Sequence, residues 1–247
     1  MGLSLSRVFN AAIGITRQAM KSVTIIIPAF NEENGIGEVI REIPKEFVTE
    51  IVVINNASTD QTEKIALEAG ATVLREPVPG YGRACLKGIE YLKKSAVQPG
   101  IVVFLDADHS DYPEEMQSLI IPIMEDKADL VIGSRALGKR EQGSMTPQQI
   151  FGNWLATRLL KVLYGVQFTD LGPFRAIRFD KLKELDMQDK TYGWTVEMQL
   201  KAAKLGFRCA EVPVRYRKRI GFSKISGTVK GTVMAGYKII ATIFKYL

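Results

Sequence analysis

An apolar run leads directly into two acidic residues in the segment Ile101-Val-Val-Phe-Leu-Asp-Ala-Asp108. Its first four residues are β-branched or aromatic, which is typical of a strand that is buried on both faces. Two carboxylates separated by one residue at the end of such a strand can converge on one divalent cation, and Mg²⁺ and Mn²⁺ prefer oxygen ligands. Asp106 and Asp108 therefore form a candidate metal site.

Similar alternations of strand and helix occur on both sides of this segment. Besides residues 101–105, short apolar runs predict strands at residues 23–27, 51–54, 71–74 and 130–132. Predicted helices cover residues 31–42, 148–164 and 194–205. Further helices are predicted after Asp60 as far as residue 69, after Gly82 as far as residue 94, and from Pro113 onwards. Residues 172–178 are expected to be extended and residues 137–147 to form a polar loop. This alternation predicts an α/β fold with a mostly parallel central sheet flanked by helices.

Polar residues follow the predicted strands where each strand ends. Parallel sheets bind ligands at the carboxyl ends of their strands, so these residues are expected to share one site. They lie in the segments Pro28-Ala-Phe-Asn31, Asn55-Asn56, Asp106-Ala-Asp108 and Gly133-Ser-Arg135. Arg135, at the end of a predicted strand, could bind diphosphate or pair with an acid, and the planar guanidinium of arginine suits a forked contact with a phosphate group.

The composition excludes several classes of protein. The chain has 247 residues, of which 46% are hydrophobic and 24% charged. These values fit a chain with a sizeable buried core and exclude a disordered, collagen-like or disulfide-stapled protein. Two distant cysteines, Cys85 and Cys209, predict a reduced cytosolic protein. With His109 as the single histidine, a His-rich zinc site is not expected.

The charge is distributed unevenly along the chain. The overall formal charge is +6, but residues 1–22 and 212–247 carry eleven basic groups and no acid, and the middle is net acidic. Basic ends around an acidic body predict contact with phosphate or an anionic surface. No nucleic-acid motif accompanies the charge, so no nucleic-acid partner is expected.

Both ends also show helical amphipathic patterns. Residues 5–13 place apolar side chains on one face, and near the other end Val233, Tyr237, Ile240 and Phe244 form a stripe beside lysines. Such helices can lie at a bilayer interface or can pack on the domain, and the sequence leaves both possibilities open. No run of about 18 uncharged apolar residues occurs, so neither a spanning helix nor a secretory signal is expected.

The order of the motifs resembles that of the family 2 glycosyltransferases. The motifs are Ile27-Pro-Ala-Phe-Asn-Glu32, Ile51-Val-Val-Ile-Asn-Asn-Ala-Ser-Thr-Asp60, Gly80-Tyr-Gly-Arg-Ala84, Phe104-Leu-Asp-Ala-Asp108 and Gly133-Ser-Arg135. Three later segments are similar to the dolichol-phosphate mannose synthase-like branch. They are Asp170-Leu-Gly-Pro-Phe-Arg175, Gly193-Trp-Thr-Val-Glu-Met198 and Gly221-Phe-Ser-Lys-Ile-Ser-Gly227. The resemblance covers residues 23–228.

The resemblance implies a single GT-A domain at residues 23–227, preceded by a basic amphipathic segment (1–22) and followed by an amphipathic helix (228–247). It implies a metal-dependent, inverting glycosyltransferase that uses Mg²⁺ or Mn²⁺. The enzyme would move a hexose from GDP-mannose or a UDP-sugar to a polyprenyl or dolichyl phosphate. The basic, amphipathic ends favour a peripheral location on an anionic membrane, at its cytoplasmic face.

The resemblance also assigns roles to individual residues. Pro28, Ala29, Asn31 and Glu32 would surround the nucleotide, and Asn56 would lie in the nucleotide-reading turn. Asp106 and Asp108 would contact the metal and the diphosphate. Phosphate groups would be faced by Arg135, Arg175 and Lys224, and the sugar by Glu197. The implied catalytic set is Asp108, Arg135 and Glu197.

The sequence departs from the family pattern at two positions. The usual acidic pair of the second motif is Asn55-Asn56, which weakens any inference about the donor base. The polar residue expected two positions beyond Asp108 is Ser110, followed by Asp111, so the third metal ligand is open. Many relatives also carry a membrane anchor, and no such segment is expected here.

Three alternatives compete with transfer to a lipid phosphate. A hydroxyl acceptor would require a general base, for which Glu197 or Asp170 are candidates, whereas a phosphate acceptor is already anionic. A sugar-phosphate nucleotidyltransferase usually opens with a glycine-rich signature, but this chain opens with Pro28-Ala-Phe-Asn-Glu32. A non-catalytic relative that recruits partners to membranes is disfavoured by the intact acidic pair and Arg135.

Overall fold

The computed structural model describes residues 22–221 and 229–247. Its strands form one sheet of seven in the order β3-β2-β1-β4-β6-β5-β7. The strands are β1 Val23–Ala29, β2 Val48–Asn55, β3 Thr72–Arg75, β4 Ile101–Phe104, β5 Leu130–Ser134, β6 Arg175–Arg178 and β7 Cys209–Pro213. The helices are α1 Ile36–Glu42, α2 Thr62–Glu68, α3 Tyr81–Lys94, α4 Met116–Met124, α5 Pro147–Tyr164, α6 Phe179–Glu184, α7 Trp194–Lys204 and α8 Val229–Lys245.

The sheet is parallel apart from one strand. β1 pairs in parallel with β2 and β4, so the carboxyl ends of these three strands lie at the same edge. β6 runs antiparallel between β4 and β5, and β7 is parallel to β5. The predicted single α/β domain with a mostly parallel sheet flanked by helices is confirmed. The antiparallel direction of residues 175–178 was not evident from their extended pattern.

Alternate residues of the central strands pack into two apolar layers, one on each face of the sheet. Ile26 and Phe104 belong to the layer that includes Leu160 of α5, Trp194 of α7 and Ile243 of α8. Ile25 and Ile27 belong to the opposite layer, with residues of α1 and α4. Successive side chains of a strand point to opposite faces, so a continuous apolar run is required when both faces are covered.

Four elements differ from the expectation, and one of them is α6, which was not predicted. The helix predicted from residue 31 begins at Ile36, because Asn31 adopts a left-handed conformation (φ 53°) in the preceding loop. The segment from Pro113 first makes a 3₁₀ turn and becomes α-helical at Met116. β7 was not predicted, since this short strand includes an acidic residue and ends at Pro213. Among the described strands it pairs with β5 alone, and an edge position tolerates proline.

The structure describes the C-terminal amphipathic helix but not the N-terminal amphipathic segment. The amphipathic segment at residues 5–13 and Lys224 lie outside the described residues. α8 lies against the domain through Thr242 and Ile243, which are buried, while Val233, Tyr237 and Phe244 are exposed. Within residues 22–221 and 229–247, no helix is both long and apolar enough to span a bilayer.

Candidate active site

The acidic pair lies immediately beyond β4, at the carboxyl edge of the sheet. The Tyr81 hydroxyl donates to Oδ1 of Asp106 at 3.1 Å. Oδ1 of Asp108 accepts from the backbone N–H and the hydroxyl of Ser110, at 2.9 and 2.5 Å. Oδ2 of Asp108 lies 3.1 Å from Nη1 of Arg219. The pair is therefore held by a tyrosine, a tight turn and one guanidinium.

Among residues 22–221 and 229–247, negative charge at this edge exceeds the compensation by nearby cations. Burial, followed by the charge of Asp108, raises the pKa of Asp106 from 3.8 to about 7. Burial also raises the pKa of Asp111 well above its ordinary value. Neither carboxylate oxygen of Asp111 has a hydrogen-bond partner among the described residues. Acidic groups concentrated in a poorly compensated site favour the binding of a cation.

The residues present fit a divalent metal that is shared with a substrate. No three His, Cys, Asp or Glu side chains within the described ranges come together as a complete metal site. Mg²⁺ is commonly bound by one or two carboxylates, with substrate phosphates and water completing its octahedron. Asp106 and Asp108 can supply the protein's share of such a coordination shell.

A first cavity of about 230 Å³ opens beside the acidic pair. It collects residues from the ends of β1, β2 and β4 and from the start of α3. Its lining comprises Pro28, Ala29, Phe30, Glu32, Asn56, Pro79, Gly80, Tyr81, Asp106, Ala107, Asp108, Tyr192 and Arg219. Six residues predicted for the nucleotide, the diphosphate and the metal are thus brought together.

The side-chain amides of two asparagines in the predicted nucleotide site form hydrogen bonds with the backbone of neighbouring loops. Nδ2 of Asn56 donates to the backbone oxygens of Glu76 and Val78, and its Oδ1 accepts from the N–H of Gly80 at 2.8 Å. Oδ1 of Asn31 accepts from the N–H of Thr59 at 2.8 Å, and Asn31 is not among the described lining residues. Their amide groups hold the walls of the first cavity in place.

A second cavity of about 310 Å³ adjoins the first, and Asp106 and Asp108 belong to both linings. Tyr81, Tyr192 and Arg219 are also shared by the two cavities. The second lining further includes Arg135, Met145, Gln148, Gln149, Gly152, Asn153, Leu171, Pro173, Thr195, Tyr216, Ala235, Gly236 and Ile239. The acidic pair therefore stands between two spaces, as transfer between two substrates requires.

Arg135 is held in a fixed orientation at the second cavity. Its Nε and Nη2 donate to the two carboxylate oxygens of Asp170 at 2.8 and 2.7 Å. Its backbone N–H donates to the same carboxylate at 2.7 Å, and its guanidinium lies 5.1 Å from the Tyr216 ring centre. A bidentate arginine–carboxylate pair is rigid, which suits a cation that must be positioned before an anionic ligand arrives.

Arg175 occupies a different environment from the one predicted. It is fully buried, and its guanidinium donates to backbone oxygens of Leu171, Gly172 and Thr195. Burial lowers the pKa of Arg175 to about 10. The described linings of the two cavities do not include it. Arg175 therefore has a structural role and does not make the expected phosphate contact, because backbone carbonyls already accept the hydrogen bonds of its guanidinium.

Glu197 is likewise enclosed and lies outside both linings. Its carboxylate accepts from the N–H groups of Gln188 and Asp189 and from the hydroxyl of Tyr246, at 2.6–3.0 Å. Nζ of Lys201 lies 2.8 Å away. The expected sugar contact does not fit this placement. Glu197 instead fixes the loop that leads to Tyr192, a residue of both cavities.

Arg219 belongs to the basic end at residues 212–247, and it lines both cavities. Its Nη2 donates to Glu32 at 2.7 Å, so one guanidinium spans Glu32 and Asp108. Arg217 anchors the same segment, since it donates to Glu42 at 2.6 Å and to the backbone oxygen of His109. The basic run at residues 217–219 was the available signal. No comparable feature of the sequence indicated that Tyr192 lines both cavities.

An α/β sheet with an acidic pair at its carboxyl edge, between two cavities, is the arrangement expected of a GT-A nucleotide-sugar transferase. The chain belongs to glycosyl transferase family 2, whose family model matches residues 24–186. It is accordingly a glycosyltransferase, of the hexosyltransferase class.

Curated relatives match the chain over most of their length. An uncharacterized glycosyltransferase from Mycobacterium tuberculosis is 32% identical over 87% of this chain and 94% of its own. The undecaprenyl-phosphate mannosyltransferase of Micrococcus luteus is 30% identical, with 85% and 89% covered. The dolichyl-phosphate hexose transferase of Haloferax volcanii is 29% identical, with 89% and 93% covered.

Solved structures support the same fold. Glucosyl-3-phosphoglycerate synthase from Mycobacterium tuberculosis, in complex with Mn²⁺, UDP and phosphoglyceric acid, superposes with a TM-score of 0.72. The two chains are 23% identical, and the match covers 95% of this chain and 82% of the other. At this identity the likeness shows the fold alone.

Proposed function

We propose that the protein transfers a hexose from a nucleotide sugar to a polyprenyl or dolichyl phosphate, with inversion and with Mg²⁺ or Mn²⁺. The nucleotide would occupy the first cavity, and the acceptor phosphate would enter the second cavity near Arg135. Asp106 and Asp108 would hold the metal, which supplies positive charge to the departing diphosphate. Arg219 is close enough to Asp108 to add a second positive group there.

The proposal rests on the hydrogen bonds that already engage the two candidate bases, Asp170 and Glu197. A hydroxyl acceptor must lose a proton to a base within hydrogen-bond reach. Both oxygens of Asp170 are bound to Arg135, and both oxygens of Glu197 accept hydrogen bonds inside the domain. A prenyl phosphate already carries the nucleophilic oxyanion and needs no such base. The arrangement therefore favours a phosphate acceptor.

Two of the relatives are named for transfer to prenyl phosphates, which supports the same acceptor class. A peripheral position at the cytoplasmic face of an anionic membrane would bring the enzyme to such an acceptor. The exposed apolar side chains of α8 are consistent with that position. In this proposal residues 1–22 and 228–247 flank the catalytic domain (23–227), and Lys224 faces a phosphate.

A matrix of donors and acceptors tests the proposal. The chain is incubated with GDP-mannose or a UDP-hexose, a divalent metal, and either farnesyl phosphate, 3-phosphoglycerate or a free sugar. Product masses are read by mass spectrometry. We expect one hexose to be added to farnesyl phosphate, and NMR of the product should show an inverted anomeric centre. Transfer to the hydroxyl acceptors alone would contradict the proposal and identify the alternative chemistry.

A further inference from the structure

An apolar groove of about 560 Å³ lies between α5 and α8. We define it by its lining residues, which are Pro147, Gln148, Phe151, Gly152, Leu155, Val233, Gly236, Ile239 and Ile240. Gln148 is the one polar side chain in this described lining. A wall with so few hydrogen-bonding groups suits a hydrocarbon ligand and disfavours a saccharide, whose hydroxyls would lose their bonds to water.

The apolar groove is continuous with the second cavity. Gln148, Gly152, Gly236 and Ile239 line both spaces. A ligand can therefore have an anionic end near Arg135 and a hydrocarbon chain that leaves along α5 and α8. Continuity with the acidic pair distinguishes this groove from an isolated surface patch.

Two glycines keep the apolar groove open. A Cβ built on Gly152 or on Gly236 meets no described heavy atom within 4 Å. Both residues lie inside helices, where glycine costs about 1 kcal/mol relative to alanine. Neither is required for close packing of the two helices. Their lack of a side chain instead leaves space along the floor of the groove.

The walls of the groove also present apolar side chains to water. Phe151 is 60% exposed and Val233 is 63% exposed, although each belongs to an amphipathic helix that packs on the core. Apolar surface clustered around a groove marks a binding site for an apolar ligand. The helices carry no acidic residue, so an anionic lipid meets no local repulsion from them.

We infer that the apolar groove binds the first isoprene units of the acceptor chain, while the phosphate of the same molecule occupies the second cavity. This inference rests on the proposed transfer to a prenyl phosphate and assigns its chain-binding site. It predicts that the protein distinguishes acceptors by the length of their hydrocarbon chain. Chain burial would contribute to kcat/KM in proportion to the apolar surface removed from water.

Leucine substitutions that fill the groove test the inference. Gly152→Leu and Gly236→Leu each place a side chain in the open space, and leucine is a better helix former than glycine. The control is Ser118→Leu, which adds the same side chain at an exposed position of α4, on the opposite face of the sheet. kcat/KM is measured with isopentenyl phosphate (one isoprene unit) and farnesyl phosphate (three units).

The wild-type protein and the Ser118→Leu variant should prefer farnesyl phosphate by at least about tenfold. In the groove variants kcat/KM should fall more for farnesyl phosphate than for isopentenyl phosphate, so most of that preference should be lost. Thermal unfolding checks each fold, and Phe151→Gln replaces any leucine variant that fails to fold. Equal use of the two acceptors by wild type, or an unchanged preference in the groove variants, would overturn the chain-binding site and leave the proposed function standing. Failure of wild type with every prenyl phosphate would instead reject the proposed function, and the chain-binding site with it.

Discussion

Asp106 shows the electrostatic cost of a site arranged for a cation. Its neighbours are a second carboxylate and a tyrosine hydroxyl, and partial burial limits its contact with the water that would otherwise stabilise its charge. Such a carboxylate is costly to ionise in the metal-free protein. A bound cation would stabilise the ionised carboxylate. Asp106 can therefore lower the stability of the metal-free fold and still bind metal in the active enzyme.

This cost predicts a pH dependence of stability. The pKa of Asp106 is about 7 when folded, against 3.8 ordinarily, so the folded chain binds the extra proton between these values. In the absence of metal, the contribution of Asp106 to stability should therefore fall as pH rises from about 4 to about 7. Asp106→Asn should remove this contribution and raise the unfolding temperature at pH 8. Chelator-treated protein followed by calorimetry provides the measurement, and an unchanged or lower temperature would contradict it.

Asp108 is predicted to be required for turnover but not for folding. An asparagine oxygen can still accept the two hydrogen bonds from Ser110, so the turn should persist in Asp108→Asn. The variant lacks one anionic ligand, and we expect kcat/KM to fall by at least about a hundredfold, which corresponds to about 2.7 kcal/mol.

Steady-state kinetics and circular dichroism on the same preparation provide the check for Asp108→Asn. Wild-type activity should disappear with a chelator and return with Mg²⁺ or Mn²⁺. Full turnover by Asp108→Asn, or by metal-stripped wild type, would remove the acidic pair from the mechanism.

At the scale of elements, Glu197 joins three parts of the chain. It receives hydrogen bonds from the 188–189 loop and from Tyr246, which follows α8, and it pairs with Lys201 within α7. α8 packs on α5 and α7 and also forms one wall of the apolar groove. The carboxylate thus fixes the position of a helix that borders the active site.

Tyr246→Phe should loosen this connection without altering the chemistry of the site. A hydrogen bond to a charged acceptor contributes about 1.5 kcal/mol, which for a domain of this size lowers the unfolding temperature by about 3–6 °C. The matched control is Tyr237→Phe, because the Tyr237 side chain is 69% exposed on α8. Thermal denaturation in the same buffer compares the two variants. Equal unfolding temperatures would show that the 2.6 Å contact with Glu197 adds nothing to stability.

At the scale of the whole molecule, α5 and α8 form one apolar, acid-free surface beside the second cavity. Phe151 and Trp154 of α5 are exposed there, as are Val233 and Tyr237 of α8. Removing α8 would be a poor test of membrane contact, since Ile243 is buried in the core and its loss would expose that core. Single charge substitutions at exposed positions preserve the packing.

Val233→Glu is therefore predicted to weaken binding to anionic vesicles. It places a negative charge on a surface without acidic residues, where each charge near an anionic leaflet changes the binding free energy by about 1 kcal/mol. Wild type should co-sediment with phosphatidylserine vesicles at low salt and dissociate as salt rises. The control Val97→Glu makes the same change at an exposed valine outside this surface. Equal sedimentation of both variants would exclude α8 from membrane contact.

The features that the sequence alone determined are the local ones. Continuous β-branched runs allowed the strands β1–β5 to be predicted, and polar residues after them indicated the edge at which Asp106, Asp108 and Arg135 lie. These inferences succeed because strand periodicity and the chemistry of a strand end depend on adjacent residues. Family motifs added the fold and the class of enzyme.

The tertiary structure decided which charged side chains reach the site. Arg175 and Glu197 belong to motifs that resemble the family, yet backbone groups and Tyr246 enclose them, whereas Arg219 reaches Glu32 and Asp108 from a distant segment. The direction of β6 and the groove between α5 and α8 were equally absent from the local pattern. Each depends on packing between elements far apart in sequence. The burial of a side chain and its hydrogen-bond partners are set by several segments together and cannot be predicted from one segment.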